Sequence, residues 1–94
     1  MQLRKIVIDV LKPHSPSILE YAEKIAALKN VEGVTVLVSE IDEKTESVEI
    51  TVEGDSLDYK NIEESIEKLG GSVHSIDMVS AGSQVIEPCN YDEL

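Results

Sequence analysis

The sequence predicts an α+β domain with the element order β-α-β-β-α-β. Three observations carry that prediction. Four stretches alternate apolar with polar side chains, or run apolar on both faces, and are enriched in the β-branched residues of strands. Two others repeat apolar residues at intervals of three and four, as a helix with one covered face does. Turn residues stand between them: Lys12-Pro13-His14-Ser15-Pro16, then Asp42-Glu43-Lys44, then Gly70-Gly71.

The first strand, 3–11, sets Ile6, Ile8 and Val10 against Val7, Asp9 and Leu11, so both faces are apolar and the strand reads as central. Two prolines then stop the ladder. Ser15 is the expected N-cap and Pro16 the first residue of a helix over 16–29, lined by Ile18, Tyr21, Ala22, Ile25 and Leu28. Val34 to Ile41 and Ser47 to Glu53 form an antiparallel hairpin, the second of them with a clean inner face of Val48, Ile50 and Val52. Asp58 caps a second helix with Tyr59, Ile62, Ile66 and Leu69 on one face, Leu57 standing at staple spacing from Ile62 and Gly70-Gly71 ending it. Val73 to Ala81 is the fourth strand, with Ile76 and Met78 inward, and Ser83 to Ile86 has the pattern of a short extension. Residues 1–87 thus make a single domain of the ferredoxin-like, split βαβ plan, with strand order 4-1-3-2 and both helices on one face; residues 88–94 are a loose acidic tail.

Ninety-four residues allow one core, and with three Tyr and no Phe or Trp that core is aliphatic. A formal net charge of −11 argues against nucleic acid or an anionic membrane as partner. Cys89 is the single cysteine, so no internal disulfide and no cysteine-based metal knuckle forms. No signal peptide pattern or stretch of about 20 apolar residues occurs, and a cytoplasmic setting is expected.

With Ile6, Ile8 and Val10 facing the helices, Lys5, Val7, Asp9 and Leu11 point to the uncovered side. Strict alternation adds Thr35, Leu37, Ser39 and Ile41, then Glu49, Thr51 and Glu53, then Val73, Ser75, Asp77 and Val79. Val7, Leu11, Leu37, Ile41 and Val79 make that face apolar enough to predict self-association through it or through a sheet edge. Asp9 and Asp77 would share it, with Glu49 or Glu53 joining from the neighbouring strand. Crowded carboxylates need a cation, and two kinds are open: a hard divalent ion such as Ca²⁺ or Mg²⁺, or the side chains of Arg4, Lys5 or Lys12. Lys12, His14 and Ser15, ahead of a helix N-terminus, form a candidate anion site. His74 reads as structural or as a ligand, and the turn from Glu40 to Glu46 as solvated or as a peripheral cation site.

The chain resembles the small archaeal family DUF211, a domain of unknown function. The resemblance rests on Ile8-Asp9-Val10-Leu11-Lys12-Pro13-His14 with Pro16, Val31-Glu32-Gly33-Val34, Glu40-Ile41-Asp42 with Thr45-Glu46, and Leu57-Asp58-Tyr59. It continues through Gly70-Gly71-Ser72-Val73-His74-Ser75-Ile76-Asp77, Ala81-Gly82 and Glu87. It implies a ferredoxin-like fold, assembly into ring-like or other homo-oligomers, calcium as a ligand, and no known activity. Pro88-Cys89-Asn90-Tyr91 departs from the pattern, so nothing carries over to Cys89.

The expected function is therefore a non-catalytic, homo-oligomeric module that binds divalent cations, calcium among them, through Asp9, Asp77 and Glu49, in a regulatory role. The alternative is an ACT-like sensor of an anionic metabolite held at the first β-α turn or a subunit interface. No nucleophile, base and orienting residue assemble into an enzyme site around His14.

Overall fold

The computed structural model describes residues 2–88. Its elements are β1 (Leu3–Pro13), α1 (Ile18–Ala26), β2 (Val31–Ile41), β3 (Thr45–Gly54), α2 (Tyr59–Lys68) and β4 (Ser72–Ala81). The four strands form one antiparallel sheet in the order β2-β3-β1-β4, so β1 is central and the predicted ferredoxin-like topology holds. The predicted tail at Cys89 to Leu94 lies outside the described residues.

Between sheet and helices lies an aliphatic core. Ile6, Ile8 and Val10 of β1, Val48, Ile50 and Val52 of β3, Tyr21 and Ile25 of α1, and Ile62 and Ile66 of α2 are all buried, with Leu57 closing one end. Each such side chain contributes about 2–3 kcal/mol relative to exposure. The second helix starts as its sequence dictates: the Asp58 carboxylate accepts from the backbone N–H of Lys60 at 3.1 Å and Asn61 at 3.4 Å. It ends at Gly70, whose φ of +91° favours glycine, and Gly71 N–H returns to the Ile66 carbonyl at 3.0 Å.

The first helix is shorter than predicted, because β1 runs two residues past Leu11 and Pro13 still pairs with Thr45. The turn moves along the chain accordingly. Ser17, in extended conformation, rather than Ser15, stands at the N-cap, and the helix closes at Ala26 with Leu28 N–H tightened onto the Ile25 carbonyl.

Both outer strands depart from strict alternation. In β4 the residues opposite Val7, Ile8, Asp9 and Val10 are Met78, Ile76, Ser75 and Val73, so Asp77 and His74 are each passed over as bulges. The side facing the helices is consequently Val73, Ile76 and Val79, at intervals of three, and Met78 pairs on the open side. In β2 the ladder shifts between Val38 and Glu40, which brings Ile41 opposite Glu46 on the helix-side parity. Val73, Val79 and Ile41 are therefore not part of the open face as alternation had placed them. Ser83 to Ile86 forms no strand; Ile86 N–H donates to Ser80 Oγ at 3.2 Å.

Candidate functional site

Cross-strand partners share a face, and the middle row of the open face reads Leu37, Glu49, Asp9, Ser75 from β2 to β4. Asp9 and Glu49 are thus directly opposite each other, an arrangement that two like charges disfavour. The rows beside it carry Thr35, Thr51, Val7 and Met78 on one side and Glu40, Ser47, Leu11 and Ser72 on the other. Leu37 is 59% exposed and Leu11 43%. Of the five apolar residues that alternation assigned, Val7, Leu11 and Leu37 stay on the open face and Met78 joins them, among polar neighbours.

Asp77 does not stand in the row itself. From its bulge it accepts a hydrogen bond from Ser75 Oγ at 2.7 Å, and Ser75 is the partner of Asp9. The structure therefore sets Asp9 and Glu49 side by side and leaves Asp77 outside the row, bonded to the hydroxyl of Asp9's ladder partner. Among the described residues no three His, Cys, Asp or Glu side chains gather closely enough to hold a metal ion. A depression of about 210 Å³ opens next to Asp9, lined also by Leu11, Ser47 and His74, so the second bulge turns His74 toward the open face.

The cations that alternation offered to this row are engaged elsewhere. Lys5 Nζ meets Glu87 at 2.9 Å and its cross-strand partner Glu53 at 3.8 Å, and its hydrogen bond to Glu87 raises its pKa. Arg4 bonds the Gly82 carbonyl and Gln2 and lies 3.6 Å from Asp55. Lys12 points the other way, into the core. Neither Asp9 nor Glu49 makes an ion pair among the described residues.

Lys12, only 1% exposed, has every ammonium proton directed at an oxygen: the Pro13 carbonyl at 2.8 Å, the His14 carbonyl at 3.5 Å and Glu46 Oε1 at 3.0 Å. The Tyr21 ring lies beneath it, 5.1 Å from Nζ to the centroid, a favourable cation–π position. Tyr21 donates its own hydroxyl to the Leu69 carbonyl at 3.0 Å, and a Cβ at position 71 would sit 2.9 Å from that hydroxyl, so Gly71 is required for this packing. Burial raises the Tyr21 pKa, with the Glu46 charge adding to it.

His14 reaches the same carboxylate from outside. Its Nδ1 is 3.1 Å from Glu46 Oε2, and its Nε2 is 2.9 Å from the Asp42 carbonyl and 3.0 Å from that of Glu43. The hydrogen bond to Glu46 raises the His14 pKa, the Glu43 carbonyl assisting, and the bonds from His14 and Lys12 lower that of Glu46. Of the predicted anion site, Lys12 and His14 do converge, but on the protein's own carboxylate; Ser15 is exposed and makes no side-chain bond among the described residues. From the sequence, Glu46 reads only as the end of a solvated turn or peripheral cation site, not as a partner of Lys12 and His14. The signal was there: Lys12 has the parity of Ile6, Ile8 and Val10, and Glu46 that of Val48, Ile50 and Val52, so alternation alone aims both inward.

No helix of the described residues is long and apolar enough to cross a membrane. Residues 4–93 match the family model DUF211, described as an uncharacterized ArCR family. The chain is also 52% identical over 85 residues to an uncharacterized protein of Methanocaldococcus jannaschii, an alignment spanning 90% of this chain and 88% of that one.

Proposed function

The chain belongs to the DUF211 family, and from that premise we propose that it is a non-catalytic, homo-oligomeric module with a regulatory role. Its open sheet face meets a second copy, and Asp9, Glu49 and Asp77 bind divalent cations there, Ca²⁺ first among them. The supporting observation is Asp9 opposite Glu49 while Arg4, Lys5 and Lys12 are paired with other groups. Carboxylate oxygens at a surface suit a hard ion that keeps part of its water. With fewer than three ligands gathered in one chain, the remaining positions fall to water or to a neighbouring copy. Leu11, Leu37, Val7 and Met78 around the carboxylates supply the apolar contact that such a copy would cover. The sensor alternative would require Lys12 and His14 to exchange Glu46 for a ligand.

The test combines mass with melting. Size-exclusion with light scattering on the wild-type chain is expected to give a multiple of the single-chain mass. Calcium at about a hundredfold over its dissociation constant is expected to stabilise by about 2.7 kcal/mol, and Asp9→Asn to remove most of that gain. A monomeric mass at all concentrations overturns the assembly. Melting that ignores both calcium and chelator overturns the cation.

A further inference from the structure

His14 stands between two sets of acceptors. Glu46 Oε2 faces Nδ1, and the Asp42 and Glu43 carbonyls face Nε2. A neutral imidazole has one N–H and one lone pair, so whichever tautomer forms, a lone pair would point at oxygen. Only the imidazolium donates on both sides. One of those sides is the carboxylate anchored by buried Lys12; the other is the tip of the β2–β3 hairpin.

We propose that the His14 imidazolium is a latch that holds the hairpin tip, Asp42 and Glu43, against the first β-α turn, and that loss of its proton frees the tip. The charged groups around it favour this reading on balance. From β3, the Glu46 carboxylate attracts the proton. From β1, Lys12 opposes it, but its ammonium is turned onto Glu46 and two carbonyls. From α1, Tyr21 faces Lys12 rather than the imidazole. The turn itself carries Asp42, Glu43 and Lys44, two of which present main-chain oxygens to the ring. The His14 side chain is 42% exposed, so solvent protons reach it without unfolding. Beyond the strand ladder, the tip's other backbone tie is Asp42 N–H to the Thr45 carbonyl at 2.8 Å.

The experiment is an NMR titration of the intact chain that follows both the imidazole nitrogens and the amide exchange of residues 42–45. His14 is expected to titrate above the ordinary value of 6.5. Corrected for the intrinsic rate, tip protection should fall through the same midpoint. Linkage requires it to fall by the factor by which closure raises proton affinity. His14→Gln, which donates on one side only, is expected to leave protection low and independent of pH. Glu46→Gln is expected to lower the His14 midpoint. A His14 midpoint at or below 6.5, tip protection indifferent to pH, or an unchanged profile in His14→Gln would each overturn the latch.

Discussion

Lys12 and Asp9 lie three residues apart on the same strand and meet opposite fates. Lys12 enters the helix side, where two carbonyls, a carboxylate and an aromatic ring surround it. Asp9 faces outward beside another carboxylate with no counter-charge among the described residues. A fully buried charge survives only when protein groups satisfy it, whereas a half-buried one such as Asp9 still draws on water. The first region is therefore closed by its own chain, and the second is left without a counter-charge among the described residues.

Substitutions should separate the two regions by sign as well as size. Lys12→Ala is expected to cost about 3 kcal/mol, read as a lower urea midpoint, because it opens a hole over Tyr21 and strips Glu46 of one donor. Lys12→Met, which keeps the stem that covers the ring, should recover most of that loss. Asp9→Asn should act in the opposite direction in chelator, stabilising by up to about 1 kcal/mol and raising Tm by about 4–8 °C for a domain of this size. That gain should shrink with added salt, since the repulsion it removes is screened.

Acidity should sharpen the contrast further, with a smaller effect. His14, whose native pKa is raised, contributes fully below its ordinary value of 6.5 and loses that contribution as pH rises through the native value. Glu46, whose native pKa is lowered, contributes above its ordinary value of 4.5 and loses it as pH falls through the native value. Thermal unfolding across pH should therefore show a plateau between about 4.5 and 6.5. In His14→Gln the decline on its alkaline side should flatten. The smallest change is Ser75→Ala, which removes an exposed bond to Asp77 and should stay within about 0.5 kcal/mol by the same measurement.

The central elements were legible because their local and tertiary signals agree. Ile6, Ile8 and Val10 alternate without interruption and are buried as alternation requires, and Asp58 caps α2 as its side chain predicts. At the sheet's outer strands alternation fails. Bulges at His74 and Asp77 are set by how β4 wraps a twisted neighbour, which nothing local in Ser72 to Ala81 announces. Strict alternation puts Asp77 in the carboxylate row, whereas in the structure it sits in a bulge, bonded to Ser75. The pairing of Asp9 with Glu49 was readable, since β3 keeps its register beside β1 over nine consecutive residues. The His14 contacts were not, because they depend on where a hairpin tip thirty residues later comes to rest.

The central position of β1 has a consequence for synthesis. It is made before the other strands of this sheet, yet β3 and β4, which flank it, are the third and fourth in chain order. The β2–β3 hairpin and both helices close over short loops, while the β1–β4 pairing joins the first and last elements of the domain, the slowest kind of contact to find. Until β4 has been made, Ile6, Ile8 and Val10 lack one of their two neighbours, and the sheet is completed only as that strand emerges.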